Sequence, residues 1–527
     1  MTMSVSRLEI RKETYRDSIT MLGISNKLSK LDGVSQAAAV MATDLNKKVL
    51  RDIGFTGVEV DDARSDDMII AIEAVDSDLL EKAFSQVDSL LNEKVSETGE
   101  TKNPPKTLGS ALEQMPDANM VVISVPGQFA KREALNAIER GLNVFLFSSN
   151  VSTEDEIELK SKAIARHLLM MGPDCGTSII NGTVLGFGNI VRSGPVGIVS
   201  ASGTGLQQVS TLLDSAGVGI SQGIGIGGND LSDAVGGTMM TEGIKLLDGD
   251  VGTKIIILIS KPPGPNTTKS ILDQAARCNK PVLVNFLGWQ PDLGNAKNCT
   301  SATTLEDAAL RTCKQLGVEL PADLVSDSVD EQVVRKEWLQ FGSKQKYVRG
   351  LYSGGTLCYE AQVVMLPYLC TIGSNAPLVK SMRIDGNALT THEHTCIDMG
   401  AEEFVIGRAH PMIDYTLRKL RILKEAQDPE VAVFLLDIVL GYGSNSDPAF
   451  ELKTSIKEAK SIARDAGRNL SFVGSIVGTA QDPQNLDLQK RILADAGMLL
   501  FPSNAHAARA AALIAQRSDL GRQGGNS

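Results

Sequence analysis

The chain has 527 residues, 42% hydrophobic and 22% charged, with a formal net charge of −11. That length exceeds what one core serves and predicts three or four domains of ordinary globular composition. The acidic balance, with no dense Lys/Arg cluster, argues against nucleic acid as a partner; the charged first 18 residues, and the lack of any apolar run near the roughly 20 residues that span a bilayer, predict a cytoplasmic protein with no membrane partner.

Short strands over 8–10, 35–41 and 68–74 alternate with helices over 16–31, 44–53 and 79–91, which predicts a small α+β domain over 1–95. The polar, proline-containing stretch 92–106 reads as a linker. Over 107–190, apolar runs of five or six residues alternate with helical stretches, a βαβ pattern on a parallel sheet that reads as a Rossmann-like unit. Ser152 or Thr153 is a natural N-cap there, with Glu154 and Asp155 in the first turn.

Residues 191–320 repeat the α/β alternation and read as a flavodoxin-like domain. It contains GIVSASGTGLQQVSTLLDSAG (197–217): a strand, a turn of small residues, then a helix with Leu206, Val209, Leu212 and Leu213 at helical spacing and Gly217 just past its end. A charged interval, 321–345, reads as a linker. The next domain, 346–516, opens with GLYSGGTLCYEAQVV, again strand, small-residue turn and helix, and the later helix and strand order also repeats. We read a diverged internal duplication of one module, followed by a disordered tail at 517–527.

A strand that enters a helix through small residues exposes the first N–H groups of that helix, which have no intrahelical acceptor and sit at the positive end of the dipole. Ser200, Ser202, Gly203, Thr204 and Gly205 in the first module, and Ser353, Gly354, Gly355 and Thr356 in the second, are therefore candidate phosphate or acyl-phosphate ligands. One such turn is as readily an ordinary tight connection. Two from homologous modules could face one anion and form a clamp without any lysine.

MGPDCGTSIINGT (171–183), GIVSASGTG (197–205) and GIGIGGNDLSD (223–233) resemble the α-subunit of succinyl-CoA synthetases, and 124–155 is similar to the later half of that family's CoA-binding domain. YSGGTLCYE (352–360) resembles the matching helix start of the β-subunit. Together with KPPGP (261–265), GRAHPMIDYTLR (407–418) and DIVLGYGSNSDP (437–448), these segments identify the chain as a member of the FdrA-type family, with a fold of a CoA-binding unit and two ligase modules. The resemblance implies an enzyme, either an acyl-CoA synthetase-like ligase or a carbamoyltransferase subunit acting on oxamate in allantoin and purine-nitrogen breakdown. It also implies partner subunits, an oligomer and, where CoA binding is retained, CoA held near Pro126, Gln128, Phe129, Ser148, Ser149 and Asn150.

Three departures qualify it. The loop that should carry a phosphorylated histidine reads FLGWQPDLGNAKNCTSATTLEDAA, with Asn295, Lys297 and Cys299 but no histidine between His167 and His392. The glycine-rich opening of the CoA-binding half is not recognisable, and neither an ATP-grasp segment nor a P-loop is present. A ready-made acyl phosphate, such as carbamoyl phosphate, suits these losses better than ATP does. The alternatives are a nucleotide-dependent succinate-CoA-type ligase with a separate nucleotide-binding subunit, and a non-catalytic CoA- or phosphate-binding protein.

His410 as a general base and Arg408 as a carboxylate clamp are balanced against a structural corner. His392, His394 and Cys396 have a metal-like spacing without further ligands, so no metal is expected, and solvent exposure is their expected fate. Cys175 reads as a buried thiol, Asp230 and Asp233 as helix caps, and 162–167 as a solvated helix face. The seven scattered cysteines predict free thiols.

Overall fold

The computed structural model describes residues 4–92, 105–294, 296–319, 321, 329–385 and 390–523, and the chain divides into two compact units. Unit 1 holds the chain up to Pro104 together with Met399–Leu420. Its elements are β1 (Val5–Arg11), α1 (Ser18–Leu28), β2 (Val34–Met41), α2 (Asp44–Asp52), α3 (Val58–Asp62), β3 (Met68–Ala74) and α4 (Ser77–Asn92). The sheet is antiparallel in the order β1-β3-β2. The central strand, MIIAIEA, is apolar almost throughout because both its faces are covered. Met68, Ile70 and Ile72 pack with Met21, Ile24, Leu28 and Phe84, while Ile69 and Ala71 pack with Leu50, Phe55 and Val60.

The stretch Met399–Leu420 joins this unit through Asn46, whose Nδ2 donates to Gly407 O at 3.1 Å and whose Oδ1 accepts from Arg408 Nη1 at 3.0 Å. The expectation that 346–516 forms one domain therefore gives way at this stretch, because hydrogen bonds some 360 residues apart in sequence tie it elsewhere.

Unit 2 begins with α5 (Leu108–Gln114), β4 (Met120–Ile123), α6 (Gly127–Glu139), β5 (Asn143–Leu146), α7 (Thr153–Ala165) and β6 (Met170–Met171), giving a parallel sheet β4-β5-β6. Ser152 caps α7 by accepting from Asp155 N at 3.2 Å. The hairpin β7 (Thr177–Ile180) and β8 (Thr183–Gly186) leaves that sheet and extends the next one, so the first large sheet starts upstream of the expected boundary at 190/191.

The first module runs β9 (Ser193–Ser200), α8 (Gly203–Ser215), β10 (Ile220–Gly225), α9 (Thr238–Gly249), β11 (Ile255–Ser260), α10 (Pro265–Ala276), β12 (Val282–Phe286), β13 (Cys299–Ala302) and α11 (Leu305–Gln315). After α12 (Glu331–Trp338), the second runs β14 (Tyr347–Tyr352), α13 (Gly355–Leu369), β15 (Thr395–Asp398), β16 (Val431–Val439), α14 (Pro448–Asp465), β17 (Ser471–Val477), α15 (Leu486–Asp495), β18 (Met498–Phe501) and α16 (Asn504–Gln523). The sheets are ordered β13-β12-β11-β9-β10-β7-β8 and β15-β14-β16-β17-β18. Without the hairpin, both trace the flavodoxin-like order, with the first and third strands of each module adjacent. The repeat seen in the sequence is thus a repeat of topology.

Two segments are more ordered than their composition suggests. α12 lies inside the expected linker 321–345; it buries Val334, and its Glu337 accepts from Ser471 Oγ at 2.5 Å. α16 continues to Gln523, past the expected start of a disordered tail, and residues 524–527 of that tail lie outside the described residues.

The two modules share a buried carboxylate. Glu360 of α13 accepts from Leu305 N at 2.6 Å, at the start of α11, and from Asn504 Nδ2 at 2.8 Å, at the start of α16. Burial pushes its carboxyl up to about 7. The folded state therefore holds this proton more tightly than the unfolded chain does, so stability from this group is present at low pH and is lost as pH rises from the ordinary glutamate range through about 7. Glu360→Gln should flatten the fall in unfolding free energy between about pH 4.5 and 7 by an amount on the order of 3 kcal/mol. An unchanged pH profile in urea titrations would refute this assignment.

Candidate functional site

The two small-residue turns meet inside unit 2. β9 delivers the chain at Ser200, and Ser200 Oγ closes the turn by donating to Ser202 O at 2.7 Å and accepting from Ser202 N at 3.0 Å. Ser202 is the N-cap of α8; its Oγ accepts from Gly205 N at 2.8 Å and donates to Thr356 Oγ1, in the first turn of α13, at 2.6 Å. Gly354 lies so close to the first module that a Cβ there would sit 2.9 Å from Thr204 Cγ2. Any larger residue at 354 would push the two helix beginnings apart.

The copies satisfy their turns differently. The second turn has no capping side chain of its own, because Gly354 stands where Ser202 stands in the first. Asp437, a buried residue of the neighbouring strand β16, takes over: its carboxylate accepts from Ser353 N at 2.8 Å, Ser353 Oγ at 2.9 Å and Gly354 N at 2.8 Å. Ser353 and Gly354 therefore hold an internal carboxylate rather than presenting their donors. The corresponding position on β11 is Ile259, whose pairing partner is Ser200. Among the described residues, the N–H groups of Gly203, Thr204, Gly355, Thr356 and Leu357 make no hydrogen bond. The carboxylate of Asp398 also borders this end, since a Cβ at Gly355 would collide with it.

The other expected residues fall into separate places. Pro126, Gln128 and Phe129 open α6, and Ser148, Ser149 and Asn150 follow β5; Ser148 Oγ donates to Val125 O at 2.5 Å, so all six gather at the C-terminal ends of β4 and β5. Phe129 is half exposed there. Arg408 and His410 belong to unit 1. Arg408 Nη2 reaches Asp414 Oδ2 at 3.1 Å, its Nη1 is held by Asn46, and His410 Nδ1 accepts from Met412 N at 3.3 Å, which makes this loop a hydrogen-bonded corner.

Asp230 caps α9 by accepting from Met239 N and Met240 N at 3.1 and 3.0 Å, and Asp233 accepts from Thr267 N at 3.0 Å in α10. Cys175 is buried, and burial raises its thiol to about 11, so it is no nucleophile at neutral pH. His394 does not turn to solvent as expected: its Nδ1 accepts from Val348 N at 3.2 Å, and burial lowers its imidazole to about 4. Asn295 lies outside the described residues. Lys297 lines a groove of about 830 Å³ between α10 and the 289–298 loop, and none of the turn residues reaches that groove.

Residues 351–514 match the CoA-ligase family, and residues 3–106 match a family described as "AllF, heavy metal-associated domain". Residues 3–106 contain neither cysteine nor histidine. The α subunit 2 of an ADP-forming succinate–CoA ligase from Archaeoglobus fulgidus is 34% identical over 152 residues, which are 28% of this chain and 52% of that one. This chain thus spans about half the length of that ligase subunit. A dinucleotide-forming acetyl-coenzyme A synthetase from Ca. Korarchaeum cryptofilum aligns with 78% of this chain and 85% of its own at 16% identity, with a TM-score of only 0.27. "Uncharacterized protein YahF" of Escherichia coli is 41% identical over 502 residues, 95% of this chain and 97% of that one. The chain belongs to the family of YahF.

Proposed function

We propose that unit 2 binds the phosphoryl end of an acyl phosphate where the beginnings of α8 and α13 meet and transfers the acyl or carbamoyl group to an acceptor, as an FdrA-type enzyme subunit. The observation that carries this reading is the 2.6 Å hydrogen bond between Ser202 and Thr356, which brings two helix beginnings with unspent N–H groups to one place. Such preorganised donors stabilise negative charge on phosphate oxygens as the bond to the acyl carbon lengthens. The acceptor attacks the carbonyl carbon, the carbon–oxygen bond breaks, and inorganic phosphate leaves with the electron pair. The proton of the attacking group passes to solvent or to the departing phosphate.

The absence of histidine between His167 and His392 favours a ready-made acyl phosphate over ATP, because no imidazole in that stretch can relay a phosphoryl group. Carbamoyl phosphate with oxamate as acceptor is the pairing we favour. CoA, if used, would lie at Pro126–Phe129 and Ser148–Asn150, at the ends of β4 and β5.

Phosphate release from carbamoyl phosphate, followed with co-expressed partner chains, should depend on oxamate. Radiolabelled ATP should leave no acid-labile label on this chain. Labelling, or phosphate release indifferent to every acceptor tried, would overturn the reading in favour of a nucleotide-dependent ligase or a binding protein.

A further inference from the structure

The anion site proposed above lacks a counter-charge in the turns themselves, and the structure supplies one from a third strand. β11 runs beside β9, with Ile259 opposite Ser200, and Ala201 N donates to Ile259 O at 2.9 Å. Two residues on, Lys261 leaves the sheet at the same end as the first turn. Its Nζ stands 5.4 Å from the ring centroid of Tyr359. Tyr359 follows Thr356 by three residues and Gly355 by four on α13, so it shares their face one turn further along. Lys261 is exposed, and among the described residues its ammonium has neither a hydrogen bond nor an ion pair.

A second group lies at the beginning of α8. Thr177, on β7, is 2% exposed, and its Oγ1 has no hydrogen-bond partner among the described residues. A hydroxyl so buried normally finds one. The nearest atom to a Cβ built at Gly203 is this Oγ1, at 3.0 Å. The missing side chain at 203 leaves Thr177 facing the beginning of α8.

We infer that Lys261 and Thr177 complete this site and make it selective for a dianionic phosphoryl group over a carboxylate. The inference rests on the acyl-phosphate reading above. Lys261 supplies a mobile positive charge on the α13 side, and Thr177 donates a hydroxyl hydrogen on the α8 side. The carboxylates of Asp398 and Asp437 border the same helix end and oppose a bound anion, so a dianion needs the lysine more than a monoanion does.

The test uses the full chain with inorganic phosphate and acetate as probes, followed by calorimetric titration at fixed ionic strength. Lys261→Ala should weaken phosphate binding about tenfold or more and change acetate binding by less than about twofold, Lys261→Arg should retain phosphate, and Thr177→Val should weaken it several-fold. Gly203→Val, which fills the space before Thr177, should abolish phosphate binding. Phosphate bound equally well by Lys261→Ala and Thr177→Val but lost in Gly203→Val would overturn this inference and leave the site standing. No saturable phosphate binding by the unaltered chain, or binding indifferent to Gly203→Val, would overturn the site itself.

Discussion

Replacing Lys160 by methionine is expected to destabilise unit 2 by about 3–5 kcal/mol, read as a lower urea midpoint with an unchanged slope. Lys160 lies on α7 and is 1% exposed. Its ammonium donates to Glu156 Oε1 at 2.5 Å, Asp230 Oδ1 at 2.7 Å and Ile226 O at 3.1 Å, which uses all three of its hydrogens. Methionine keeps the stem and removes the charge, leaving two carboxylates buried together. Asp230 is the more consequential partner, because the same carboxylate caps α9, so the ammonium links α7, which packs with the β4-β5-β6 sheet, to the first module. Adding Asp230→Asn to Lys160→Met should recover part of the loss, since the amide can still accept one N–H bond at α9 and carries no charge. A loss below about 1 kcal/mol for the single change would mean that water reaches the cluster and screens it.

Asp437→Ala should cost about 3 kcal/mol or more, because it strands at least three buried donors, Ser353 N, Ser353 Oγ and Gly354 N, and each orphaned group costs about 1–3 kcal/mol before relaxation. Asp437→Asn should cost less, since one amide oxygen remains to accept. The same change should loosen the start of α13 against α8, so faster amide exchange is expected at residues 353–357. Unfolding curves for Asp437→Ala within about 0.5 kcal/mol of the parent would show that the second turn does not depend on this carboxylate.

The parts of this site that were legible in the sequence are those written locally. A strand entering a helix through Ser-Ala-Ser-Gly-Thr-Gly has only small residues with which to turn, and its repetition at 353–356 implied a repeated topology, which the two matching strand orders bear out. Asp230 was legible as a cap because it precedes α9 and carries a short acceptor side chain, whereas Asp233 accepts from Thr267 N in α10, 34 residues on, rather than from the helix that follows it. The partners that decide the site's charge were not legible. Asp437 reaches Ser353 across 84 residues, and nothing near it in sequence marks it as the cap that Gly354 lacks. Lys261, in the strand exit KPPGP, comes near α13 only through the fold, and the two turns by themselves suggest a clamp without any lysine.

Burial and distance hid the rest. Lys160 occupies the middle of a charged helix, just before the stretch 162–167 that reads as a solvated face, yet it is buried, while its neighbour Lys162 is about half exposed and pairs with Glu158. Arg408 and His410 looked like candidates because charge and imidazole adjoin a proline. The tie that makes their loop a corner comes from Asn46, 362 residues away, beyond the reach of any local pattern.

Whether two helix beginnings from a doubled module share one phosphoryl guest is settled by a crystal structure of the full chain soaked with inorganic phosphate. Tetrahedral density is expected within hydrogen-bonding distance of the N–H groups of Gly203 or Thr204 and of Gly355 or Thr356. Density confined to another surface, with these amides unoccupied at saturating phosphate, would contradict it.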